Sequence, residues 1–170
     1  MERLNELNYQ KNENEKIPKS KVFLCLGSDK LIFDSLGPLT GTLLKNQKDF
    51  PHYVYGTMAE PVTALQVEKA IRFIRSFHYG SEVIVVDSAI GKKEEIGAIK
   101  FFNRGLRPAL GVDKEMAVVG DKSIMGIVTT KEAVKDMNTC NVKLQDVFLM
   151  AKKVVEKIIL MDAQNSETAI

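Results

Sequence analysis

Two carboxylates in this chain stand where a pair could do acid–base chemistry. In LCLGSDKLIFDSLGPLTG (24–41) an apolar run ends at Gly27, and Asp34 follows shortly after. In SEVIVVDSAI (81–90) a second apolar run leads directly into Asp87. Two close carboxyl groups cannot both ionise cheaply, so one keeps a proton while the other remains a base. Such a pair can activate a water and protonate a leaving group. It can equally hold a divalent cation, with water completing the shell. Each acid alone has a plainer role: Asp34 as a helix N-cap before Ser35, Asp87 as the start of an Asx-turn. Their neighbours Ser35, Ser88 and Ala89 are small and leave the pair little steric cover. Asp29 reads as a turn residue.

Other constellations are weaker. Gly120-Asp121-Lys122-Ser123 has Glu115 where a phosphate-cradling loop needs glycine, and no Gly-x-Ser-x-Gly elbow is present. Nothing in the sequence brings Ser88 or Ser123 to Lys92 as nucleophile and base. His52 and His78 fall at a strand start and a helix end and read as surface or capping residues. Pro108 and Gly111 in GLRPALGVD (105–113) mark a tight turn, either an ordinary loop or a close approach to a substrate backbone. Cys25 sits in an apolar run as a small hydrophobe, Cys140 in a loop, and neither has metal-ligand spacing.

The elements that must position the acids alternate between two periods. KVFLCLG, YVYGTM and SEVIVVDS read as strands, the third ending at Asp87, and IGAIKFF and IMGIVTT as two more. A helix is expected from Ser35 to about Asn46, with Pro38 in its first turn. Another follows Pro61, with Thr63 and Gln66 as a capping box and Leu65, Ala70, Ile71, Ile74 and Phe77 on one face. Thr129 and Glu132 have the same capping spacing. Leu144, Val147, Phe148, Ala151, Val154, Val155, Ile158 and Ile159 form the apolar stripe of the last helix. Buried strands alternating with helices predict an α/β fold, a mostly parallel sheet with helices on both faces. Ligands then bind beyond the carboxyl ends of the strands, where the strand order reverses. If the first strand lies beside the third, Asp34 and Asp87 share one crevice.

A chain of 170 residues suits one domain, expected at 21–161, with a flexible tail at 1–20 and a short one at 162–170. Lys and Arg number 24 against 22 Asp and Glu, a balance without an electrostatic footprint for nucleic acid or an anionic membrane. No window reaches the roughly 18 apolar residues of a membrane span, and the N-terminus lacks an apolar signal region. The expectation is a cytoplasmic protein without nucleic acid or membrane as partner.

GSDKLIFDSLGPLTG, VYGTMAEPVTA, VIVVDSAIGKKEEIGAI, LRPALGVDK and VGDKSIMGIV together resemble the YyaC-type sporulation proteins, a family described as spore proteases. The likeness covers about residues 21 to 159. More distantly the chain is similar to the germination protease of spore formers and to hydrogenase maturation proteases. That resemblance implies a phosphorylase/hydrolase-like fold of the germination and hydrogenase-maturation protease kind, and an aspartic-type peptidase acting on a protein or peptide in the sporulating cell or forespore. The germination protease carries its catalytic aspartates in an Asp-x-Leu-Gly-Pro motif and at the end of a Val-x-Asp-Ala-like strand, positions held here by Asp34 and Asp87. Gly27, Ser28, Ser35, Gly37, Ser88, Pro108 and Gly111 are then expected to bind substrate. In the hydrogenase enzymes the same acids bind nickel with a later histidine, whereas both histidines here precede Asp87. No metal and no cofactor is expected, and no oligomeric state is implied. The family's Pro-Gly-x-Gly is Pro108-Ala109-Leu110-Gly111 here, and the Gly-Asn of the distant relatives is Gly27-Ser28. The alternative is a non-catalytic sporulation protein that uses the same cleft to bind a peptide or ligand.

Overall fold

Valine-rich runs with apolar side chains on both faces build the centre of a sheet. The computed structural model describes residues 20–108, 117–135 and 141–167. Residues 1–19 of the expected tail, Gly111 and Cys140 lie outside the described residues. Strands β1 (Lys21–Cys25), β2 (Tyr53–Tyr55), β3 (Glu82–Gly91), β4 (Ile99–Phe102) and β5 (Lys122–Thr130) form one sheet in the order β2-β1-β3-β5-β4. β1 runs parallel to β2 and β3, and β3 parallel to β5; only β4, at one edge, is antiparallel. Val22 and Leu24 of β1 and Val83 and Val85 of β3 pack on one face with Val67 and Ile74 of helix α2 (Val67–Phe77). Phe23, Cys25 and Val86 pack on the other with Leu44 of α1 (Leu36–Lys45) and Val154, Val155 and Ile158 of α4 (Leu144–Glu167). The fold is therefore α/β, a mostly parallel sheet with helices on both faces. Strands buried on both sides must read as continuous apolar runs, and these do.

Several boundaries differ from expectation. β3 does not end at Asp87. It continues through Gly91 because β5 goes on pairing with it, across a register shift between Ala89 and Ile90. α2 begins at Val67: Thr63 N–H donates to Gln66 Oε1 at 3.1 Å, but that bond closes a turn ahead of the helix. Leu65 and Phe77 are consequently exposed rather than core. At α3 (Lys131–Lys135) the cap is Thr130, whose Oγ1 accepts from Ala133 N–H at 3.3 Å, while Thr129 is buried. α4 runs on to Glu167, past Met161 where the domain was expected to end. Its Asp162 carboxylate pairs with Lys21 Nζ and, at 2.8 Å, with His52 Nε2. No described helix is long and apolar enough to cross a membrane.

Candidate functional site

The strand order reverses between β1 and β3, and both acids sit there. Leu26 N–H donates to the Val86 carbonyl at 2.8 Å, the last bond that this segment makes to β3. The chain then departs: Gly27, at φ +138°, donates its N–H to the Val62 carbonyl at 3.0 Å. Ser28 N–H donates to the Asp34 carbonyl at 2.9 Å and closes the loop onto a 3-10 turn, Ile32–Asp34. Two glycines make this possible. A β-carbon on Gly27 would lie 2.0 Å from the Asp34 carbonyl oxygen, and one on Gly37 would lie 1.9 Å from the Leu26 carbonyl oxygen. Both distances are far inside van der Waals contact, so glycine lets α1 seat its N-terminal end on the end of β1. Ser35 Oγ donates to the Ile32 carbonyl at 2.7 Å and holds the turn from below.

Asp87 is placed by β3. Side chains alternate along a strand, so Asp87 shares the α2 face with Val83 and Val85. Ser88 lies on the α1–α4 face with Ile84 and Val86. Ser88 connects the two acids. Its N–H donates to Asp87 Oδ1 at 2.7 Å, and its Oγ donates to Asp34 Oδ1 at 3.5 Å, the limit of a weak bond.

Burial is the main reason that the Asp87 carboxyl is pushed up to about 8, and the charge of Asp34 adds to it; the Ser88 N–H works against both. Asp34 is also raised by burial, with the Ser88 hydroxyl opposing. Of the two, Asp87 is the one driven toward its protonated form at neutral pH, which makes Asp34 the candidate base. One acid and one base at one crevice is what general acid–base hydrolysis uses.

The remaining expected residues are dispersed in role. Gly27 and Gly37 are buried against backbone, and Ser35 is buried with its hydroxyl engaged. Ser28 Oγ accepts from Lys30 N–H at 3.1 Å beside the loop. Pro108 is buried at the boundary of the described residues. His52 lies against Phe23 and Phe50 with Asp162, and His78 Nε2 meets the Tyr55 hydroxyl at 2.6 Å. Among the described residues no cluster of three or more His, Cys, Asp or Glu is placed to hold a metal ion. Cys25 is fully buried, and burial pushes its thiol well above the usual range. A cavity of about 720 Å³ between the end of β5 and α4 is lined by Thr130, Val142, Asp146 and Met150 among others. Neither Asp34 nor Asp87 lines it. Sequence reasoning did not include Ala89–Gly91 in β3, although the apolar Ala89-Ile90 directly after Asp87-Ser88 is the signal that the strand goes on.

Fold and site together define an α/β protein with a carboxylate pair at the switch point of a parallel sheet. The chain matches the family described as "Protein of unknown function (DUF1256)" over residues 3–157, and it belongs to that family. It is 35% identical over 144 residues to "Uncharacterized protein YyaC" of Bacillus subtilis (strain 168), covering 85% of this chain and 70% of that relative.

Proposed function

We propose that this chain is an aspartic-type peptidase of sporulation or germination, with the protease-like variant of the α/β fold that its motifs resemble. The observation that carries the reading is the unequal carboxylate pair. Asp34 and Asp87 lie close enough for one charge to raise the other's pKa, and Ser88 bonds to both. Asp34 as base takes a proton from water, and the water oxygen bonds to the peptide carbonyl carbon. Asp87 gives its proton to the departing amine as the C–N bond breaks, and the proton gained by Asp34 restores the pair. The substrate class is protein or peptide and the setting is the cytoplasm of a sporulating cell or forespore, both from the resemblance.

The test is incubation of the purified protein with extracts of sporulating cells, scoring new protein termini by mass spectrometry. Asp34→Asn and Asp87→Asn should each abolish the new termini while melting cooperatively. Cleavage retained by Asp34→Asn sinks the reading. A non-catalytic binding role is favoured by one feature of the sequence: Ala109 stands where the family's loop carries its first glycine, which would narrow the approach if that glycine meets the substrate backbone. Binding of a defined peptide that survives loss of both acids would support that role.

A further inference from the structure

β3 is longer than its partner on one side, and among the described residues no strand pairs with the edge this mismatch leaves next to the acids. Its pairing with β1 stops at Cys25 opposite Val86, whereas its pairing with β5 continues to Gly91. Beyond Val86, β3 thus has a strand on one edge only. The Val86 carbonyl faces β1, because it accepts from Leu26 N–H, and the Val83 N–H faces the other way, because it donates to Asp121 Oδ2 at 2.8 Å. Alternation with period two then turns the backbone groups of Ser88 and Ile90 toward the lane that β1 leaves. The Ser88 N–H is taken by Asp87 Oδ1, so the next groups offered are the Ser88 carbonyl and the Ile90 N–H. In a parallel ladder one residue of an added strand bonds to a carbonyl and to the N–H two positions on, and these two groups have that spacing. Ile90 is 52% exposed as a residue, so this part of β3 is not buried in the core.

The acids flank the lane. Asp87 rises from the α2 face of β3, and Asp34 meets Ser88 from the α1 side. A backbone lying in the lane passes between them. We propose that the substrate is bound as an extended strand, added to the free edge of β3 at Ser88–Gly91 in continuation of the β1 lane, so that its main chain is presented to Asp34 and Asp87. The occupant is a segment of unfolded polypeptide, since only an extended main chain supplies the alternating donors and acceptors that a sheet edge takes. Gly27 is what clears the lane: by turning away at φ +138° it diverts the chain's own strand toward Val62. The proposal deepens the peptidase reading, and its test separates the two.

The probe is a degenerate library of blocked decapeptides, added in excess to the intact Asp87→Asn protein, with amide hydrogen exchange as the readout. In the free protein the Ile90 amide exchanges readily; with the library it becomes protected at least several-fold. Ile90→Pro, which removes that N–H, lowers library binding about tenfold, the effect of one backbone hydrogen bond with a locked φ. An Ile90 amide already protected in the free protein, or left unprotected with peptide bound, overturns the proposal whether or not wild-type protein cuts the library. Protection without cleavage by wild-type protein leaves the strand site standing and removes the peptidase reading instead.

Discussion

Gly27 and Asp34 touch where no side chain can intervene. A β-carbon on Gly27 would sit 2.0 Å from the Asp34 carbonyl oxygen, and the next amide, Ser28 N–H, bonds to that same oxygen at 2.9 Å. The position of Asp34 in the crevice is therefore held by a close backbone contact, to which the weak bond from Ser88 Oγ to its carboxylate is added. The 3-10 turn and α1 follow from it, because α1 starts two residues later.

Gly27→Ala meets two penalties, the backbone clash and a φ of +138° that residues with a β-carbon rarely adopt. A loss of about 2–4 kcal/mol of stability is expected, or a shifted loop with Asp34 out of register with Ser88. Urea melts read the first outcome. Loss of proteolysis at full folding reads the second. Wild-type stability together with wild-type activity would contradict the role assigned to this glycine.

Stability should fall as pH rises toward 8. The Asp87 carboxyl is pushed up to about 8 in the folded protein, against about 4 when unfolded. Between these values the folded state binds more protons than the unfolded one, so the slope of unfolding free energy with pH is negative. The loss accumulates from about pH 4 and is complete above about pH 8, on the order of a few kcal/mol. Asp87→Asn removes its source, so its melting temperature should differ less between about pH 5 and about pH 9 than that of the wild type. Asp34 shifts in the same direction, so a smaller slope remains.

The architecture was legible because β1 and β3 are buried on both faces and must be apolar throughout. That Asp34 and Asp87 share one crevice was legible only as a condition, that β1 lie beside β3, and the sheet order meets it. What was not legible lay at the boundaries. β3 passes Asp87 because β5 is long enough to pair with it through Gly91; Ala89-Ile90 allows the continuation, but the partner strand decides it. Leu65 and Phe77 fit the α2 stripe by spacing, yet the helix begins too late for one and the other lies beyond the packed face. α4 overruns Met161 through a contact of Asp162 with Lys21 and His52, residues more than a hundred positions away. Gly37 was expected to face substrate, but only the folded chain shows its fit against the Leu26 carbonyl.

Ser88 sets the balance between the acids, and its removal should move one limb of the pH profile. The Ser88 hydroxyl lowers the Asp34 pKa against the burial that raises it. Ser88→Ala deletes that bond and keeps the backbone N–H to Asp87 Oδ1. On the proposed peptidase mechanism the acid limb of kcat/KM reports Asp34 losing its proton and should move to higher pH, and the alkaline limb near about 8 should stay. A uniform fall in kcat with neither limb displaced would assign Ser88 to packing alone.

Asp162 ties the end of α4 to the opposite end of the sheet from the acids, and its effect on stability has the reverse sign to that of Asp87. Burial pushes its carboxyl up, but hydrogen bonds from Lys21 and His52 and their charges outweigh burial and bring it below the usual range. A depressed folded pKa contributes stability that is present above about pH 4 and lost as pH falls through the folded value. The carboxylate is about one-fifth exposed, so solvent screening is partial and the pair contributes about 1–2 kcal/mol. Asp162→Asn should lower the melting temperature at neutral pH and lower it less at about pH 3, the difference from wild type narrowing as pH falls below about 4. Its cleavage rate should be unchanged, because Lys21 and His52 lie at the amino ends of β1 and β2 while Asp34 and Asp87 lie toward the carboxyl ends. An equal loss of stability at both pH values would mean that the side chain acts through shape and not through charge.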